Sequence, residues 1–426
     1  MKIATPTTRL TKALTYSLFD PKPCEFPTPR VQLLASLTAS LQTKSARLAE
    51  YELVGRGRDK QLYTRGRYAL FEAYRMCCVG PNAGLLAPAY HCRTMLDPAI
   101  CLNSTVTLYA LQADLAPDLV ALEAQLRAMQ QRPRAMLLTH YFGFPQDAKS
   151  VKEFCDRHGL ALIEDCSHAL FNHQVHPRLG QFGHYTVASP YKLLPCEEGG
   201  MLIAAKGTAL KVPKPRLASL LTEVKTLAAA IDRTRLNQKQ KIYSHDIAEL
   251  PATLARIQAN PIAAGIERLS QEGGTSSLYI EAEQGLAGAM ASRLLIQISN
   301  LSHAVSRRRE NYFSWEKAVR TLPHCKPLFE ALPNDCVPYM FPLLIDFPQY
   351  HFYTLKKLGL PIWRWDDMGQ SDCITAQQYR QHLLHLPCHQ TLTESEMSWM
   401  TSALSLVLKQ PMRETCSPSL DHPIRL

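Results

Sequence analysis

Residues 160–203 read LALIEDCSHALFNHQVHPRLGQFGHYTVASPYKLLPCEEGGMLI. The apolar run Leu160–Ile163 ends in two adjacent carboxylates, Glu164 and Asp165, and His168 follows three residues later. A short apolar run bounded by turn signals fits a buried strand. Gly180 and Gly183 mark a turn before His184 to Ala188, a second strand candidate that ends at Ser189-Pro190. Lys192 then stands before the apolar Leu193-Leu194-Pro195, and Glu198-Gly199-Gly200 leads into a further run, Met201–Ala204.

The same alternation extends upstream. Ala83–Ala87, Thr105–Ala110, Ala135–His140 and Leu160–Glu164 read as strands. Between them Tyr68–Cys78, Thr94–Leu102, Leu119–Gln130 (with Asp118 as N-cap) and Asp147–His158 (stopped at Gly159) read as helices. Strands alternating with helices of this length predict an α/β fold with a mainly parallel sheet covered on both faces. Ligands of such sheets sit outside the carboxyl ends of the strands. Tyr90, His91, His140, Asp165, Ser189 and Lys192 fall at those ends.

At 426 residues the natural expectation is two domains. We divide the chain into an N-terminal arm (1–30), a large domain (31–285) and a smaller α+β C-terminal domain with its tail (286–426). The arm is Pro-rich and expected to be irregular; Val31 to Tyr51 reads as a first helix. Further helices are expected at Arg216–Ile231 and Pro251–Ala264. A single long helix is expected over Leu286–Trp315, and a closing helix over Thr393–Lys409.

Composition excludes several classes. Hydrophobic content of 46% with 20% charged residues is that of a soluble globular protein. The formal charge of +10 is dispersed, with Arg307-Arg308-Arg309 among the few clusters. It suits an anionic small substrate better than nucleic acid. The 13 cysteines form no CxxC pair, so reduced thiols in a cytoplasmic protein are expected. His173-x-x-His176 and His382-x-x-His385 lack a third ligand at metal spacing, so no metal is expected. Met1–Leu18 has no apolar core of signal-peptide length and no stretch approaches a membrane span, so neither a signal peptide nor a membrane-spanning segment is expected.

An acid at one strand end and a lysine after another is the arrangement that holds pyridoxal phosphate (PLP). The lysine condenses with the aldehyde, and the acid keeps the pyridine nitrogen protonated so that the ring withdraws electrons. Lys192 and Asp165 are the candidates, and the freed Lys192 amine is the natural acid and base for proton transfer. The plain alternatives are a surface lysine and a strand-end capping carboxylate. His168 either touches the cofactor ring or packs as a satisfied core histidine. Ser189, three before Lys192, places a hydroxyl for the cofactor phosphate. Gly66 and Arg67 open a helix whose free N–H groups form an anion site. Tyr90, His91 and Cys92 follow a strand and are candidates for the ring-facing wall.

Together these pieces resemble the PLP-dependent sugar aminotransferases of the DegT/StrS group, of the aspartate-aminotransferase fold (fold type I). The matching elements are Gly66-Arg67-Tyr68-Ala69-Leu70, Pro88-Ala89-Tyr90-His91-Cys92, His140-Tyr141-Phe142-Gly143, Ile163-Glu164-Asp165-Cys166-Ser167-His168, Gly180-x-x-Gly183, Ser189 to Pro195 and Glu198-Gly199-Gly200. The tail segment Leu386-Pro387-Cys388-His389 is also similar. The resemblance implies that Lys192 binds the cofactor aldehyde and Asp165 the pyridine nitrogen. It places Gly66, Arg67 and Ser189 at the phosphate and His168 near the ring hydroxyl, and it implies a homodimer. Cys92 stands where the family has its stacking aromatic, which leaves Tyr90, His91 or His168 to supply a ring. Val187 replaces a frequent serine five before the lysine.

The expected activity is amino transfer from glutamate to a keto sugar linked to a nucleotide. A different PLP reaction on another amino acid or amine metabolite is the alternative, as is a non-catalytic binding or regulatory member. Trp363-Arg364-Trp365-Asp366-Asp367 either lines a substrate pocket, with Arg364 meeting an anion, or is a packed tryptophan pair beside a solvated loop.

Overall fold

A computed structural model describes residues 14–20, 31, 33, 35–36, 51–173, 178–240, 246–259 and 266–410. In chain order its elements begin with β1 (Leu14–Asp20), β2 (Tyr51–Leu53), β3 (Lys60–Tyr63), α1 (Gly66–Met76), β4 (Gly84–Pro88), α2 (Arg93–Cys101), β5 (Val106–Tyr109), α3 (Leu119–Ala128), β6 (Pro133–Thr139), α4 (Ala148–His158), β7 (Ala161–Asp165), β8 (Phe171–His173), β9 (Tyr185–Ala188) and β10 (Gly200–Ala204). They continue with α5 (Leu220–Gln240), α6 (Leu250–Ala259), β11 (Ile266–Glu272), α7 (Met290–Ile298), α8 (Leu301–Val319), β12 (Cys325–Pro327), β13 (Met340–Ile345), α9 (Pro348–Leu358), β14 (Met368–Gly369), α10 (Ile374–His382), β15 (Leu383–Pro387) and α11 (Glu394–Leu408).

Seven strands form the main sheet in the order β3-β10-β9-β7-β6-β4-β5. From β9 to β5 the pairings are parallel, and β10 runs against both its neighbours, β9 and β3. Side chains alternate across the sheet with the strand period of two. Leu85, Ala87, Leu137 and Ile163 enter one core with residues of α1 and α2. Leu86, Met136, Leu138 and Leu162 enter the other, with residues of α4 and the C-terminal layer. Truncating one of these fully buried leucines to alanine costs about 2–5 kcal/mol, which is what holds the strand ends in place. A second, antiparallel sheet, β12-β13-β15, lies in the C-terminal part.

Two expectations are corrected. The stretch 286–315 is not one helix: α7 stops at Ile298, and Asn300 caps α8 by accepting from His303 N–H at 3.0 Å. The N-terminal arm is not wholly irregular. β1 is the central strand of a small antiparallel sheet, paired with β11 on one side and β14 on the other. In the basic cluster Arg307-Arg308-Arg309, Arg308 is fully buried, and Arg309 Nη1 donates to the carbonyls of Pro333 and Cys336 at 2.8 and 2.5 Å. The helix expected over Val31–Tyr51 lies largely outside the described residues, as does His176. Among the described residues the cysteines are free thiols, and no cluster of potential metal ligands occurs. No described helix is long and apolar enough to cross a membrane.

Candidate active site

The parallel strands deliver their carboxyl ends to one edge, where register sets neighbours. Thr139 at the end of β6 pairs with Asp165 at the end of β7, and Asp165 pairs with Val187 of β9. Glu164 and Asp165 are adjacent, so strand alternation sends their side chains to opposite faces. Glu164 is buried and saturated. Its Oε1 accepts from Phe182 N–H (2.7 Å) and Gly183 N–H (2.6 Å). Its Oε2 accepts from Gly180 N–H (2.9 Å) and meets His140 Nε2 at 3.0 Å. His140 Nδ1 accepts from Gln146 N–H at 3.0 Å, which puts the imidazole proton on Nε2, facing the carboxylate. Burial alone would raise the Glu164 pKa. The hydrogen bond and proximity of His140, with the Gly183 and Phe182 N–H groups, outweigh it, and the net shift is downward. Glu164 therefore clamps the 180–183 turn that feeds β9.

Asp165 faces a cavity on the other side. Its Oδ1 accepts from Ser167 N–H at 2.9 Å, and the cavity is lined by Gly66, Arg67, Cys92, His168, Ser189 and Lys192 as well. Gly66 begins α1, whose N-cap Arg65 offers no side-chain cap, so the first amides of the helix remain available to an anion. A Cβ on Gly66 would lie 2.3 Å from Ser189 Oγ; only glycine permits this approach. Ser189 Oγ in turn donates to Ser167 Oγ at 2.9 Å.

Lys192 ends a single helical turn, Pro190–Lys192, directly after β9. Burial works against its ammonium form; Tyr191, Tyr339, Asp165 and Cys92 work for it, and the net pKa direction is upward. The following carbonyl, Leu193 O, is gripped from the C-terminal part of the chain. It accepts from Arg308 Nη2 at 3.3 Å and from Gln390 Nε2 at 2.9 Å. Arg308 also donates to the Pro338 and Tyr339 carbonyls (3.2 and 3.3 Å), and burial pushes its pKa down to about 10, still a cation at neutral pH.

His168 is sandwiched between Tyr339 (ring centroids 4.5 Å apart) and Phe142 (6.0 Å). Burial, then Lys192 and His385, push its pKa well down, so it is a neutral imidazole. Its Nδ1 is buried without a hydrogen-bond partner.

Two candidates do not line this cavity. Tyr90 Oη shares a 2.9 Å hydrogen bond with His385 Nε2, deep in the core. His91 Nε2 accepts from Gly369 N–H at 3.1 Å, and burial lowers its pKa to about 4. Of the three consecutive positions only Cys92 reaches the cavity, as N-cap of α2. Sequence reasoning placed Trp365 in a possible pocket without assigning it to this site; it lines the cavity and packs 4.9 Å from the Tyr90 ring. Its neighbour Arg364 turns the other way, onto the Phe352 ring (4.0 Å) and the Asp366 carboxylate. Thr139, Ser167 and Tyr191 also line the cavity and were not singled out. Thr139 was legible as the strand-end residue one before His140.

A mainly parallel sheet with a carboxylate ending β7 and a lysine one turn beyond β9 defines the aspartate-aminotransferase fold, fold type I. Two solved structures share it. One is a DegT/DnrJ/EryC1/StrS aminotransferase from Brucella abortus (TM-score 0.56, 14% identity, 88% of this chain and 95% of that one). The other is a sugar aminotransferase from Streptococcus pneumoniae, described as putative, in its PMP form (TM-score 0.57, 12% identity, 90% and 98%). The sequence pattern of the DegT/DnrJ/EryC1/StrS aminotransferase family matches residues 63–212 of the chain. GDP-perosamine synthase of Vibrio cholerae is 32% identical over 87 residues, 20% of this chain and 24% of that protein. The dTDP-3-amino-3,4,6-trideoxy-alpha-D-glucose transaminase of Streptomyces venezuelae is 29% identical over 230 residues, 52% of this chain and 55% of that protein. The matches thus span from a quarter to about half of these relatives' lengths.

Proposed function

We propose that the chain is a PLP-dependent aminotransferase that moves an amino group from glutamate to a keto sugar carried on a nucleotide. The observation that carries this is one cavity joining Lys192, Asp165 and the uncapped start of α1 beside Ser189. The residues fit the cofactor. The glycine-lined helix start suits a phosphate, the unpartnered His168 Nδ1 suits a polar ring substituent, and the Asp165 carboxylate suits a protonated pyridine.

When bound, PLP supplies an aldehyde and a strongly electron-withdrawing ring. The chain does the rest. The Gly66 and Arg67 amides with the Ser189 hydroxyl would hold the phosphate, and Asp165 would keep the ring nitrogen protonated. The Lys192 amine, placed by the Arg308 and Gln390 grip on Leu193, would serve as the acid and base for the proton at the substrate α-carbon. Trp365 lines the site with apolar surface, and Tyr339 and Phe142 hold the His168 ring in its wall, which helps to exclude water.

By family resemblance the protein works as a homodimer in the cytoplasm, with the C-terminal unit from residue 286 contributing Trp365. The nucleotide-sugar acceptor is supported by the relatives that act on GDP- and dTDP-linked sugars. The test is the absorption spectrum of PLP-loaded protein with and without glutamate. A protein-bound cofactor band that glutamate shifts is expected, and Lys192→Ala should abolish the band. A wild type that takes up no PLP would overturn the proposal, and a band indifferent to glutamate would overturn the donor.

A further inference from the structure

We propose that the cleft beside β14 is a second binding site, for a neutral polyhydroxylated ligand, that is, a saccharide. The cleft measures about 630 Å³, within the range of roughly 300–1,000 Å³ typical of small-molecule sites. It is distinct from the central cavity, whose lining it does not share. Its polar wall comes from β1 (Ser17), from the turn after β14 (Gln370, Ser371, Asp372) and from α10 (Gln377, Arg380).

The chemistry points to hydroxyl groups. Side-chain amides and hydroxyls offer donors and acceptors together, which matches an OH group that does both. Gln377 Nε2 is committed to Ser371 O at 2.8 Å, so its carbonyl is turned to the role of acceptor. Arg380 is buried, with Nη1 fixed on Asp366 O at 2.9 Å, which orients its guanidinium. Asp372 lies on the same cleft and offsets that charge, which disfavours a phosphate. Ala89, Met368 and Ala376 supply small apolar patches of the kind that meet the C–H face of a sugar ring.

The location gives the site a link to the catalytic one. Ala89 opens the segment Tyr90–Cys92, and Met368 lies three residues after Trp365. His91 is tied to the floor of the cleft twice: its Nε2 accepts from Gly369 N–H at 3.1 Å, and its own N–H meets Met368 Sδ at 3.4 Å. Ordering of 368–371 by a ligand therefore restrains His91, the immediate neighbour of the cavity-lining Cys92.

The test needs no cofactor chemistry, so its failure is separate from that of the proposed activity. Saturation-transfer NMR with N-acetylglucosamine, glucose, UDP-N-acetylglucosamine and UDP is run on the full chain. The two free sugars should receive transfer from wild type and from Lys192→Ala alike. In Gln370→Ala/Gln377→Ala their affinity should fall at least tenfold, while the cofactor band is unchanged. Absence of transfer to either free sugar overturns the site. Sugar binding unaffected by the double variant also overturns it. Transfer to UDP alone that depends on the two glutamines overturns the saccharide assignment in favour of a nucleotide.

Discussion

Replacing Glu164 by glutamine tests the claim that this carboxylate is a structural clamp and not a reacting group. The substitution keeps the shape but exchanges one oxygen for an NH2 group. The remaining oxygen satisfies two of the four donors that converge on Glu164: either Phe182 and Gly183, or Gly180 and His140. The other two then face a donor. His140 cannot escape by changing tautomer, because its Nδ1 would then present a proton to Gln146 N–H. Two buried orphaned donors at about 1–3 kcal/mol each, with the loss of the charge-assisted bonds, give a cost of roughly 3–5 kcal/mol. For a cooperative unit of this length the melting entropy is roughly 0.9 kcal/mol per degree, so Tm should fall by about 3–6 °C. The assay is thermal unfolding followed by circular dichroism, with PLP saturating and across acid pH. The folded pKa of Glu164 lies below its unfolded value. Its contribution is therefore full above the unfolded value, near 4.3, and is lost as pH falls through the folded one. That part of the acid destabilisation should vanish in the variant. A Tm shift under about 1 °C would refute the clamp.

Gly66→Ala should raise the PLP dissociation constant about tenfold, roughly 1.4 kcal/mol, by driving Ser189 Oγ off its seat. In a Ser189→Ala background the same change should cost nothing, and an additive penalty in equilibrium dialysis would show that the clash is not the cause. Arg308→Met leaves the carbonyls of Leu193, Pro338 and Tyr339 without their guanidinium donor. A loss of roughly 2–4 kcal/mol in denaturant unfolding is expected, and a neutral result would remove the tie between α8 and the Lys192 turn. Lys192 must be a free base to condense with an aldehyde, and its pKa is shifted upward. PLP association followed by stopped flow should therefore accelerate by about tenfold per pH unit in neutral buffer, and a plateau below about pH 8 would contradict the shift.

The parallel sheet was legible because its strands are fully apolar runs separated by capped helices. Asp118 caps α3 where the sequence placed it, while Thr393, read as the first residue of the closing helix, is instead its N-cap, with Glu396 in a capping box. Strand-end positions also follow from that pattern, and this brought Asp165, Ser189, Lys192 and Gly66 to one cavity. Tyr90 and His91 were less legible because three consecutive residues leaving a strand cannot all face one way, and neither tyrosine nor histidine declares its direction. Burial decided: the Tyr90 hydroxyl found His385 at a separation of 295 residues. Trp365 and Arg308 likewise meet residues far away in sequence, Arg308 reaching Leu193 across 115 residues, and no local spacing encodes a contact made by folding back. The break between α7 and α8 was hidden because apolar periodicity continues through Ser299-Asn300, and only the Asn300 cap marks it.

The neighbouring carboxylates of β7 carry a lesson for anyone screening variants of this protein. Glu164 and Asp165 share chemistry, burial and backbone, yet losing one should deplete the cell of folded protein while losing the other should leave abundant, silent protein. A screen scored on activity alone would rank the two together. Scoring abundance beside activity would separate them, and would sort architecture from chemistry at single-residue resolution along one strand.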